Sequence, residues 1–116
     1  MVWAELALKI GSKLWEAIEK ELGERLTKEE RFLILKTGSG RQGVIGIATD
    51  MQGSYVYVNN ESLRNETDPS YAAVYRDAFY SLIDKGLLEP IKIGNPVGGY
   101  TLSRKGHEIY KKIASK

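Results

Sequence analysis

The chain has 116 residues, 42% of them hydrophobic, a formal net charge of +2 and no cysteine. One domain's length with that apolar content supports a single core and excludes a disordered chain. Disulfides and thiolate metal sites are excluded, and no apolar run approaches the roughly 20 residues of a membrane span.

Charge is unevenly spread. Residues 1–36 carry seven basic and seven acidic side chains, residues 37–68 sum to −2, and residues 69–116 sum to +4. The C-terminal part is mildly basic, which permits a polyanionic partner without requiring one.

Residues 2 to about 22 form the first amphipathic element. Trp3, Leu6, Ala7, Ile10, Leu14, Ala17, Ile18 and Leu22 recur at three- and four-residue steps and predict one apolar helical stripe. Glu5, Lys9 and Lys13 interrupt the start, which makes a poor signal peptide, so a cytoplasmic setting is expected. Gly23 is the expected stop. Thr27-Lys28-Glu29-Glu30 spells a capping box for a second helix, expected to close at Gly38 in the left-handed region.

The next stretch, Gly38-Ser39-Gly40-Arg41-Gln42-Gly43, has G-x-G-x-x-G spacing. A dinucleotide-binding turn needs a strand before the glycines and a helix after them, so that phosphate rests on a helix N-terminus. Here a helix precedes and a strand follows, and the glycines read as a joint. Val44–Ala48 and Tyr55–Val58 flank the turn signal Asp50-Met51-Gln52-Gly53 and predict a β-hairpin.

Asp68-Pro69 opens a third helix expected to run to about Lys85 and to stop at Gly86. Tyr75, Ala78, Phe79, Leu82 and Ile83 form its core face; Ala73, Arg76, Asp77, Tyr80, Asp84 and Lys85 form its outer face. Two strands follow around Gly94–Gly98, and Ser103 caps a last helix through Ile109 and Ile113. His107 is the single histidine, and it has neither cysteine partners nor a nucleophile-elbow motif. No catalytic residue, metal or cofactor is therefore expected, and the chain reads as a non-enzyme.

The pattern from Ala78 onward resembles the closing half of a winged helix-turn-helix domain. Ala78, Leu82, Ile83, Gly86, Leu87 and Leu88 match its helix-and-stop motif, and Tyr100, Leu102, Ser103 and Gly106 match the motif after its wing. The resemblance implies an α+β, winged helix-like fold: three to four helices, an inserted β-hairpin and a two-stranded wing. It implies one domain over residues 1–116, with residues 1–23 as an N-terminal helix and 24–116 as the core. It also implies a recognition helix over 69–85, double-stranded DNA as partner, and the role of a small transcriptional regulator. The candidate nucleic-acid contacts are Arg41, Arg76, Tyr80, Lys85, Lys92, Arg104 and Lys105. The other reading is a protein-protein interaction or dimerisation module on the same frame, using Trp3, Ile10, Leu14 and Trp15 of the first helix to bind a protein partner or form a homodimer.

Overall fold

The computed structural model describes residues 12–40, 43–51, 53–64, 68–92 and 97–114. These form α1 (Ser12–Leu22), α2 (Lys28–Ser39), β1 (Ile45–Asp50), β2 (Gly53–Val58), β3 (Glu61–Leu63), α3 (Pro69–Asp84), β4 (Leu88–Lys92), β5 (Val97–Leu102) and α4 (Arg104–Ala114). The architecture is mixed α+β: four helices and one five-stranded antiparallel sheet, in the order β3-β2-β1-β5-β4.

Alternation sorts the strands into a core face and an outer face. Ile45, Val56, Val58, Leu63, Leu88 and Leu102 are buried beneath the helices. Tyr57, placed between two buried valines, points to the other face. α2 is central to the molecule. Its residues Phe32 through Thr37 are all buried, because it meets α3, α4 and strands of the sheet together. Phe79 and Leu82 of α3, with Ile109 and Ile113 of α4, close the core.

The local signals explain most element boundaries. The Thr27 hydroxyl accepts from the Glu30 amide at 3.2 Å, and the Thr27 amide donates to the Glu30 carboxylate at 3.0 Å. Asp68 accepts from the Ser70 amide at 3.1 Å ahead of Pro69. Gly23 and Gly86 take φ values of +72° and +75°, as helix stops require.

Four expectations need correction. In α1 the buried stripe is Trp15 and Ile18, with Leu14 and Leu22 partly buried, whereas Ala17 faces solvent. Trp15 lies beneath Arg31, whose guanidinium sits 5.0 Å from the ring centroid, so the indole is core and not interface. Trp3 and Ile10 lie outside the described residues.

Gly38 does not end its helix, which continues to Ser39. A Cβ on Gly38 would stand 2.3 Å from the Tyr110 ring, and one on Gly40 would stand 1.7 Å from the Asn59 side chain. Only Gly43 of the three takes a positive φ, +61°. The glycines therefore admit neighbouring side chains; they do not frame a phosphate.

The hairpin is the start of a three-stranded meander. Asn59 and Asn60 carry φ values of +50° and +71°, the pattern of a two-residue primed turn, and β3 returns along β2. Asn59 also ties three elements together. Its side chain accepts from the Val44 amide and donates to the Lys36 carbonyl, both at 3.0 Å, and its own amide donates to the Val44 carbonyl at 2.7 Å.

Lastly, Lys85 leaves the outer face of α3. Its ammonium donates to Glu30 at 2.7 Å and to the Arg25 carbonyl at 2.9 Å. The Ser81 hydroxyl donates to the same carboxylate at 3.0 Å.

Residues around Gly86 and Ser103 converge on one structural knot. Leu87 donates its amide to the Leu82 carbonyl at 3.0 Å and receives the Ser103 amide on its own carbonyl at 2.9 Å. The Ser103 hydroxyl donates to the Gly86 carbonyl at 2.6 Å and accepts from the Gly106 amide at 3.2 Å. Gly106 lies against the Leu87 carbonyl, where a Cβ would come within 2.4 Å. Leu82 and Leu87 are fully buried. The knot thus joins α3, the β4–β5 hairpin and α4 by packing.

Candidate functional site

The outer stripe of α3 and the cleft beside it form the candidate site. Among the described side chains of α3, Ser70, Val74, Asp77, Tyr80 and Asp84 are exposed. Val74 retains 43% and Tyr80 55% of its accessible surface, high for such side chains in mid-helix. No cation is among them. Arg76 leans toward the sheet and donates to the Ser54 carbonyl at 3.1 Å, which pins α3 to the start of β2. Lys85 is held by Glu30. The two cations expected on the DNA-facing side are both engaged within the chain.

The cleft lies beside a defect in the sheet. β1 pairs with β2 through six successive residues but with β5 only at Ile45–Tyr100. Among the described residues no further register pair joins β1 and β5. The backbone is irregular here: Gly99 takes a φ of +114°, and between the pairs Pro90–Tyr100 and Lys92–Val97 the register slips by one residue, the extra one lying in β5. Gly99 itself still lies against β1, where a Cβ would come within 3.6 Å of the Ile45 carbonyl and 3.3 Å of Val44.

The opening has a volume of about 440 Å³ and is lined by Gly46, Ile47, Tyr57, Phe79, Tyr80, Gly99 and Tyr100. Phe79 meets Tyr80 and Tyr100 edge-on at ring-centroid distances of 5.5 and 5.3 Å. The Tyr57 ring crosses Gly46, where a Cβ would fall 2.5 Å from the phenol oxygen.

The other sequence-derived candidates scatter. Arg104 and Lys105 are exposed at the start of α4, and Arg104 stands 3.8 Å from Glu108 one turn on. Lys92 enters through its backbone, paired with Val97. Arg41 lies outside the described residues. Leu14 is partly buried against the core. Of the seven nucleic-acid candidates, only Tyr80 lines the cleft. Tyr57, Tyr100 and the two cleft glycines carried no site signal in the sequence; a tyrosine alternating with buried valines and a glycine within a strand were the available hints.

Among the described residues no group of three His, Cys, Asp or Glu side chains is placed to hold a metal ion, and no helix is long and apolar enough to cross a membrane. His107 is exposed. None of the family models, curated proteins or solved structures compared with the chain matches it.

Proposed function

We propose that the chain is a protein-interaction module on a winged-helix-like frame, with α3 and the adjoining cleft as its working surface. Support for the frame comes from the strand order β1-β5-β4, the run from α3 through the β4–β5 wing into α4, and the knot at Gly86–Leu87–Ser103–Gly106. On this reading the β1–β2 hairpin takes the place of the family's middle helix.

One observation carries the choice of partner. α3 presents two carboxylates, a tyrosine, a valine and a serine to solvent, and both of its neighbouring cations are turned inward. Phosphate neutralisation supplies most of the affinity of a DNA reader, and Asp77 and Asp84 work against it. Exposed aromatic and aliphatic side chains beside a groove suit a protein partner.

The test is fluorescence anisotropy of a labelled 20-base-pair duplex at low salt, about 50 mM, where phosphate contacts are strongest. The native chain is expected to show no saturable binding up to about 50 µM. Micromolar affinity that collapses with added salt would overturn this reading.

A second reading rests on α4, which exposes Arg104, Lys105, Lys111 and Lys112. Lys112 is paired with Glu21. If these cations meet DNA, the same titration detects it, and Arg104→Ala with Lys105→Ala removes most of the signal.

A further inference from the structure

We propose that the groove between α2 and α3 takes an arginine side chain of a partner protein, set beside an apolar residue of that partner. This rests on the protein-interaction reading above and names the place and chemistry of the contact.

The groove lies where the first turn of α2 meets the stripe Val74, Asp77, Ala78 and Ser81 of α3, with Thr27, Glu29 and Glu30 as its other wall. Its volume is about 280 Å³. That is just under the roughly 300 Å³ at which small-molecule pockets begin, so it suits one inserted side chain better than a free metabolite.

The polar groups at its base are already in use. The Glu30 carboxylate, itself buried, is neutralised by Lys85 and also accepts from the Ser81 hydroxyl and the Thr27 amide. The Thr27 hydroxyl accepts from the Glu30 amide. What remains for an incoming group is of two kinds. Val74, 43% exposed, and Ala78 give an apolar surface. Glu29 on one wall and Asp77 on the other give two carboxylates, and among the described residues neither forms an ion pair. No basic side chain lines the groove; Lys28 is exposed beside Glu29 in the chain but is not part of the wall.

An apolar floor between two acidic walls matches a side chain with an apolar stem and a cationic head. Arginine fits better than lysine. Its planar head carries five donors and can serve a carboxylate on each wall at once, and it is more weakly hydrated than an ammonium. The stem would lie over Ala78 and part of Val74, and the neighbouring apolar residue of the partner would cover the rest of Val74. Asp84, exposed two turns beyond Asp77 on α3, extends the negative field that draws such a partner in.

The experiment is a ¹⁵N-amide NMR titration of the full chain with the peptide acetyl-Leu-Arg-Leu-amide, raised to about 1 mM so that weak binding registers. The expected shifts cluster at Glu29, Val74, Asp77 and Ala78, and they shrink as salt is added. Citrulline in place of the arginine keeps the shape and loses the charge, and should bind about tenfold more weakly, the combined effect of two exposed ion pairs. Glu29→Gln and Asp77→Asn should each cost about threefold, with the amide spectrum unchanged away from the groove. Equal affinity of the citrulline peptide, or no shift at these four amides, overturns the proposal. Shifts gathered instead at Tyr80 and Gly99 would overturn the groove yet leave a protein-binding module standing. Duplex DNA shifting the amides of α3 would remove both.

Discussion

Replacing Lys85 with methionine strands the Glu30 carboxylate in a buried setting. Burial pushes that carboxyl up, but the Lys85 ammonium, the Thr27 amide and the Ser81 hydroxyl pull it further down, so it lies below its ordinary 4.5. A carboxyl with a lowered folded-state pKa adds stability above its unfolded value and loses that contribution as pH falls through the folded one. Lys85→Met is expected to cost about 3 kcal/mol near neutral pH, since it leaves a buried charge unpaired. Without the ammonium Glu30 loses its largest lowering partner and its carboxyl moves up, so the deficit should narrow as pH falls and the carboxyl is protonated in both proteins. Urea denaturation of both proteins across the acid range checks the magnitude and the sign. A deficit independent of pH would detach Glu30 from Lys85. Asn59 offers a second test at this scale. Asn59→Ala removes two side-chain hydrogen bonds and puts alanine at a positive φ, for an expected loss of about 2 kcal/mol. Asn59→Gly should recover the backbone share alone, measured by the same denaturation.

Among the elements, α4 is seated by a glycine contact. Gly106→Ala drives a methyl into the Leu87 carbonyl and should destabilise by about 2 kcal/mol through overpacking, read as a lower denaturation midpoint with unchanged slope. Most boundaries were legible because they are local chemistry: the capping box at Thr27, the aspartate-proline start at Asp68, the stops at Gly23 and Gly86. What could not be read is tertiary. Periodicity put Ala17 on the apolar stripe of α1, but the buried stripe runs through Trp15, beneath Arg31, and Ile18. Gly38 looked like a stop, yet its small size serves Tyr110, which is 72 residues away in sequence. The Asn59-Asn60 turn was there in the letters, but two asparagines are a weaker turn signal than Asn-Gly, and three residues of β3 are too few to show alternation.

For the whole molecule, the core and the order of α3, the β4–β5 hairpin and α4 followed from the sequence, and the character of the α3 surface did not. Arg76 and Lys85 fall on the outward side of a helical wheel, but long side chains reach around a helix to partners that spacing alone does not place. The sign of the α3 surface, acidic where a polyanion reader is basic, appears only after those two are subtracted. The cleft lies beside one positive-φ glycine and one extra residue in β5, neither visible as a pattern. The most direct measurement compares the native chain with Asp77→Lys/Asp84→Lys on the same duplex by anisotropy at about 50 mM salt. The account predicts no saturable binding for the native chain and a gained, salt-sensitive micromolar affinity for the variant. Native binding as tight as that of the variant would contradict it.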